Sequence, residues 1–151
     1  MLGVTNTYID KTLQEIGSKS FIGTYSSDTV PYLKDHNIAM VVNLSKENES
    51  GSHFVVILIL KEQVMYFDSF GGKCFVSEIN NYLLSFGKEI LYSDTPIQDL
   101  QSVLCGIYCI AFIVAYDSKI NVHDFLDIFS NQNLLYNDVV VGEFLSTMIR
   151  N

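Results

Sequence analysis

The chain has 151 residues, a length that suits one domain with its own core, and 48% hydrophobic with 13% aromatic content excludes a disordered chain. The formal net charge is −8, with nine Lys and Arg scattered along the sequence. A nucleic-acid groove draws most of its affinity from clustered cations on phosphates, so no nucleic-acid partner is expected.

The N-terminus, "MLGVTNTYID", has neither a basic start nor an apolar stretch, so it does not read as a signal peptide. Residues 7–16 read as a helix. Thr7 is its candidate cap, with Asp10 three residues on, Ile9, Leu13 and Ile16 on one face and Gly17 at the exit. "SFIGTYSSDTVPYL" follows as a loop rich in turn residues.

"IAMVVNL", 38–44, reads as a strand, and "SKENESGS" as a polar loop. "HFVVILIL", 53–60, is a strand apolar on both faces and hence central. "KEQ" connects it tightly to "VMYFDSF", which stops at Gly71 and Gly72, so these two strands are antiparallel. "VSEINNYLLSF" carries Val76, Ile79, Leu83 and Phe86 near helical spacing, and "EILYS", 89–93, reads as a strand.

Thirteen apolar or glycine residues then run from Val103 to Ala115. A membrane helix needs about 20 such residues, and a shorter run reads as a buried helix, so no membrane association is expected. Residues 122–129 and 138–149 read as two more helices, the last with a stripe of Val141, Phe144, Leu145, Met148 and Ile149. The expected fold is one α+β domain over 1–151: a small, mostly antiparallel sheet on a buried central helix, with flanking helices.

Three cysteines in no framework spacing point to free thiols in a reducing compartment. Cys105 falls in the first turn of the central helix, where unpaired N–H groups and the helix dipole favour a thiolate. Gly106 follows, and its missing side chain leaves room for a substrate backbone. Cys109, one turn on, reads as core packing, and Cys74 as a free thiol. Cys105 and Cys109 alone do not make a metal site, because zinc needs two further ligands at usable spacing.

A nucleophilic cysteine needs a base and a group to orient that base. His53 starts the central strand, where a cleft-facing residue is held rigidly; His36 reads as a solvated loop residue and His123 as a first-turn helix residue. Asp68 ends the next strand. It serves either as a turn residue satisfying nearby backbone or as the acceptor for the histidine N–H. With the hairpin turning near Lys61 and Glu62, both residues fall at one end of the ladder. An amide donor for an oxyanion is available from Gln98 or Gln101, beside the Cys105 backbone N–H.

In the order His, Asp, Gln, Cys, the chain resembles the adenovirus maturation protease and its relatives in virophages and Polinton-type elements. The wider clan includes the SUMO-processing proteases. The resemblance rests on "FIGTYSSDTVP", "IAMVVNL…GSHFVVILI", "YFDSFGG" and "IQDLQSVLCGIYCIAFI", which together span about residues 10–116. It implies a cysteine endopeptidase that cleaves capsid or other virion precursor polypeptides, often beside small residues such as Gly. His53 is then the base, Asp68 its orienting group, Cys105 the nucleophile, and Gln98 with the Cys105 N–H the oxyanion hole. Phe54 stands where the family usually has Trp, and with Gly106 it is a candidate for the substrate groove.

The resemblance further implies a monomer without cofactor, acting in the virion and at the host-cell site of virus assembly. "FGKEILYSDTP" has no cysteine, so an activating peptide is not expected to be disulfide-tethered. Two other readings stand beside this one. A deconjugating isopeptidase for a ubiquitin-like modifier shares the residue order, but that branch places its glutamine six rather than seven residues before the cysteine. A catalytically silent binding module would use the same residues structurally.

Overall fold

The computed structural model describes residues 4–49 and 53–150. The polar loop expected over 45–52 is described as far as Glu49, and its remainder, like the first three residues, lies outside the described part. Helix α1 (Asn6–Ile16) is followed by strands β1 (Phe21–Ser26), β2 (Ile38–Asn43), β3 (Phe54–Ile59) and β4 (Gln63–Phe67). Then come α2 (Ser77–Leu84), β5 (Glu89–Tyr92), α3 (Cys105–Asp117), α4 (Val122–Asp127) and α5 (Asn137–Arg150).

The five strands form one sheet in sequential order. β2 with β3 and β3 with β4 pair antiparallel, whereas β1 with β2 and β4 with β5 pair parallel. The sheet is therefore mixed rather than mostly antiparallel. The physical reason is in the connections: α2 carries the chain from β4 across to β5, and a crossover helix returns the next strand in the same direction.

The loop expected around "FIGTYS" is in fact edge strand β1. Its register slips between Phe21 and Gly23, and five of its six residues are half-buried rather than alternating between buried and exposed. The cap of α1 is Thr5, not Thr7: the Thr5 Oγ1 accepts the Tyr8 N–H at 3.1 Å. Gly17 closes that helix at φ +82°, as its position predicts.

Alternation along β3 sends its side chains to two cores. Phe54, Val56 and Leu58 pack toward α3, with Ile9 and Leu13 of α1 in the same cluster. Val55, Ile57 and Ile59 pack with Ile79 and Leu83 of α2. Both faces of β3 are thus covered, which explains its unbroken apolar sequence.

α3 is enclosed on all sides, with every residue from Tyr108 to Ala115 buried. Phe112 stacks on Phe67 at 4.4 Å between ring centroids and meets Phe125 edge-on at 5.8 Å. A buried Phe stabilises by about 1.5–3 kcal/mol, so this cluster fixes α3 to the sheet. No helix of the described residues is long and apolar enough to cross a membrane.

Candidate active site

The β3–β4 hairpin turns at Lys61 and Glu62, with the Leu60 N–H donating to the Gln63 carbonyl at 2.8 Å. At its other end the ladder stops at Val56 and Phe67. Extending that register by three pairs sets Phe70 opposite His53 and makes Asp68 the diagonal neighbour of His53. The side chains agree. His53 stacks on Phe70 at 4.5 Å with 17° between the rings, and its Nε2 lies 2.7 Å from Asp68 Oδ1.

Asp68 serves both roles weighed for it, because the same Oδ1 also accepts the Phe70 N–H at 2.9 Å. Its own N–H donates to Ser93 Oγ at 3.1 Å, which ties the strand end to the segment after β5. Gly71 completes the turn at φ +80°, donating to the Asp68 carbonyl at 2.8 Å. A Cβ there would stand 3.0 Å from the Pro96 backbone nitrogen, so glycine is needed for both conformation and space.

Cys105 is the first residue of α3. Leu104, the residue before it, has no side chain able to cap the helix, so no cap takes the Cys105 and Gly106 N–H groups. The Ile107 and Tyr108 N–H groups both turn back to the Leu104 carbonyl. The Cys105 sulfur lies within interacting reach of the His53 ring and of the backbone N–H groups of Phe54 and Gly106, each of which favours its thiolate. With Nε2 on Asp68, Nδ1 is the His53 nitrogen left for Cys105.

These contacts set the protonation states. Burial favours the neutral thiol of Cys105, but the His53 hydrogen bond and charge and the two N–H donors outweigh it and lower the pKa below the ordinary thiol value. Burial likewise lowers the pKa of His53; the hydrogen bonds and charges of Asp68 and Cys105 overcome it and raise the histidine to about 9. Both shifts favour the thiolate–imidazolium form of the pair over the neutral one. Cys109 behaves oppositely. It is buried in the core, and burial, followed by the charges of Cys105 and Asp68, pushes its thiol well up. All three cysteines are free thiols.

Gln98 is 1% exposed and is held on both sides. Its Oε1 accepts from the Ser69 hydroxyl, and its Nε2 lies 3.1 Å from both the carbonyl and the Oγ of Ser102, three residues before Cys105. The carbonyl can only accept, so the orientation of the amide is fixed. Gln101 is exposed, and its backbone N–H is taken by Asp99 Oδ1.

The two groove candidates are placed differently from expectation. The Phe54 side chain is buried in the core facing α3, and only its backbone N–H reaches the site. At Gly106 an added Cβ would meet Val4 Cγ2 at 2.2 Å and Ile9 Cδ1 at 3.1 Å. The space left by that missing side chain is filled by the N-terminal segment and α1, so the glycine permits close packing of the chain on itself. Phe70, Ser69 and Ser102 were not singled out from sequence. The register of the hairpin was a signal for Phe70, but nothing local marks the two serines.

Compared with models of known families and with curated proteins, the sequence has no match.

Proposed function

We propose that the chain is a cysteine endopeptidase. The observation that carries this reading is the meeting of Cys105, at the uncapped start of α3, with a His53 whose Nε2 is held by Asp68 at 2.7 Å. The Cys105 thiolate attacks a peptide carbonyl and forms a C–S bond. The His53 imidazolium gives its proton to the leaving amine as the C–N bond breaks. Water, deprotonated by His53, then splits the thioester, releasing the acid and restoring the thiol–imidazole proton. Beside the Cys105 backbone N–H, Gln98 turns to the oxyanion one of the two amide hydrogens that it gives to Ser102 in the free protein.

The substrates follow from the family resemblance: capsid or other virion precursor polypeptides, cut beside small residues. The test is incubation with the capsid precursor encoded in the same genome. The parent protein should cut it and Cys105→Ala should not; equal cutting by both would remove the assignment.

A further inference from the structure

The segment that carries Gln98 into α3 is clamped at both ends by the first turn of α5. Asn137 is fully buried, and its Nδ2 donates to the Ile97 carbonyl at 2.8 Å and to the Ser130 carbonyl at 2.8 Å. Asp138 Oδ1 accepts from the Ser102 hydroxyl at 2.9 Å and from the Tyr108 hydroxyl at 2.8 Å.

Counting donors shows what Asp138 decides. Ser102 Oγ has two lone pairs and one hydrogen. The Gln98 Nε2 and the Leu104 N–H both lie within donating distance of that oxygen, at 3.1 and 3.2 Å. Its own hydrogen must then point elsewhere, and the Asp138 carboxylate is the acceptor that takes it. With the hydroxyl hydrogen drawn off, the lone pairs of Ser102 face the glutamine amide and the N–H that leads into Cys105. From the far side the Ser69 hydroxyl donates to Gln98 Oε1. The amide is thereby held between a donor and an acceptor, each facing the correct end.

We infer that Asp138 is a positioning residue that fixes the Gln98 amide through Ser102. The inference rests on the reading of Gln98 as the oxyanion donor. An interaction realised only in the transition state alters kcat and leaves KM unchanged. Asp138→Ala should therefore lower kcat by about tenfold, short of the about 10²–10³-fold that loss of an oxyanion donor itself costs. The pH profile of Cys105 alkylation should not move, because none of these groups touches the sulfur.

Asp138→Asn keeps an acceptor oxygen and should restore most of the rate. Adding Asp138→Ala to Gln98→Ala should cost nothing further, since both act through one amide. Losses that multiply in the double variant would overturn the inference, as would parental kcat in Asp138→Ala or a rise in KM alone. A second readout needs no substrate: the side-chain amide resonances of Gln98 should shift in Asp138→Ala and return in Asp138→Asn. Unchanged resonances would also overturn the inference. If the parent protein cuts nothing, the proposed activity fails, while these resonances still decide the role of Asp138.

Discussion

Replacing Asp68 with Ala tests how the thiolate is made. His53 sits at about 9 against an ordinary 6.5, although burial alone would pull it down. At about 1.4 kcal/mol per tenfold, that interval corresponds to about 3 kcal/mol of preference for the imidazolium. Asp68 supplies part of it, through the 2.7 Å hydrogen bond and its charge, and Cys105 supplies the rest. Without the carboxylate, Cys105 alone opposes burial and the His53 pKa falls. The thiolate then has a weaker charge partner. Iodoacetamide reports thiolate directly, and mass spectrometry assigns each adduct. In Asp68→Ala the alkylation rate of Cys105 at neutral pH should fall by about ten- to a hundredfold, part of the full interval worked above. The midpoint of its pH profile should rise toward the ordinary thiol range, with the far-ultraviolet circular dichroism unchanged. An identical profile in parent and variant would refute the argument, because the helix start alone would then account for the thiolate.

Other consequences can be measured alongside. His53 is raised, so its proton is held below about pH 9 and lost above it; kcat/KM should fall above that value as the leaving amine loses its acid, whereas a fall near pH 6.5 would contradict the ion pair. Gln98→Ala should slow turnover by about 10²–10³-fold. Its thermal midpoint, read by circular dichroism, should also fall, because the buried Ser69 hydroxyl loses its acceptor; normal turnover would leave the oxyanion to backbone donors. Gly106→Ala should press on Val4 and Ile9 and cost about 1–3 kcal/mol of stability in a denaturant titration. Unchanged stability would mean that α1 does not pack where the glycine permits.

The parts legible in the sequence are those with local causes. The run from Val103 to Ala115 announces a buried helix because it is apolar all round, and the structure encloses α3 between the sheet and its neighbouring helices. The tight "KEQ" connection and the apolar "HFVVILIL" fix the β3–β4 hairpin, and with it the end at which His53 and Asp68 meet. β1 was hidden because Gly23 and the register slip beside it break the alternation that marks a strand. The parallel pairing of β4 with β5 was implicit in a strand–helix–strand order, but it becomes visible only when those strands are neighbours. Gly106 shows the limit of local reasoning. Absence of a side chain says that something approaches, and only the fold says that it is Val4 and Ile9. Asp138 had no signal at all, since its bond to Ser102 spans 36 residues.

The central claim is that Cys105 is a peptidase nucleophile served by His53. A short peptide ending in glycine, with a vinyl methyl ester in place of the scissile amide, traps such a thiolate as a thioether. Intact-mass measurement should show one adduct on the parent protein, mapped by fragmentation to Cys105 and lost in His53→Ala. Labelling of Cys74 or Cys109 at a comparable rate, or undiminished labelling of Cys105 in His53→Ala, would contradict it.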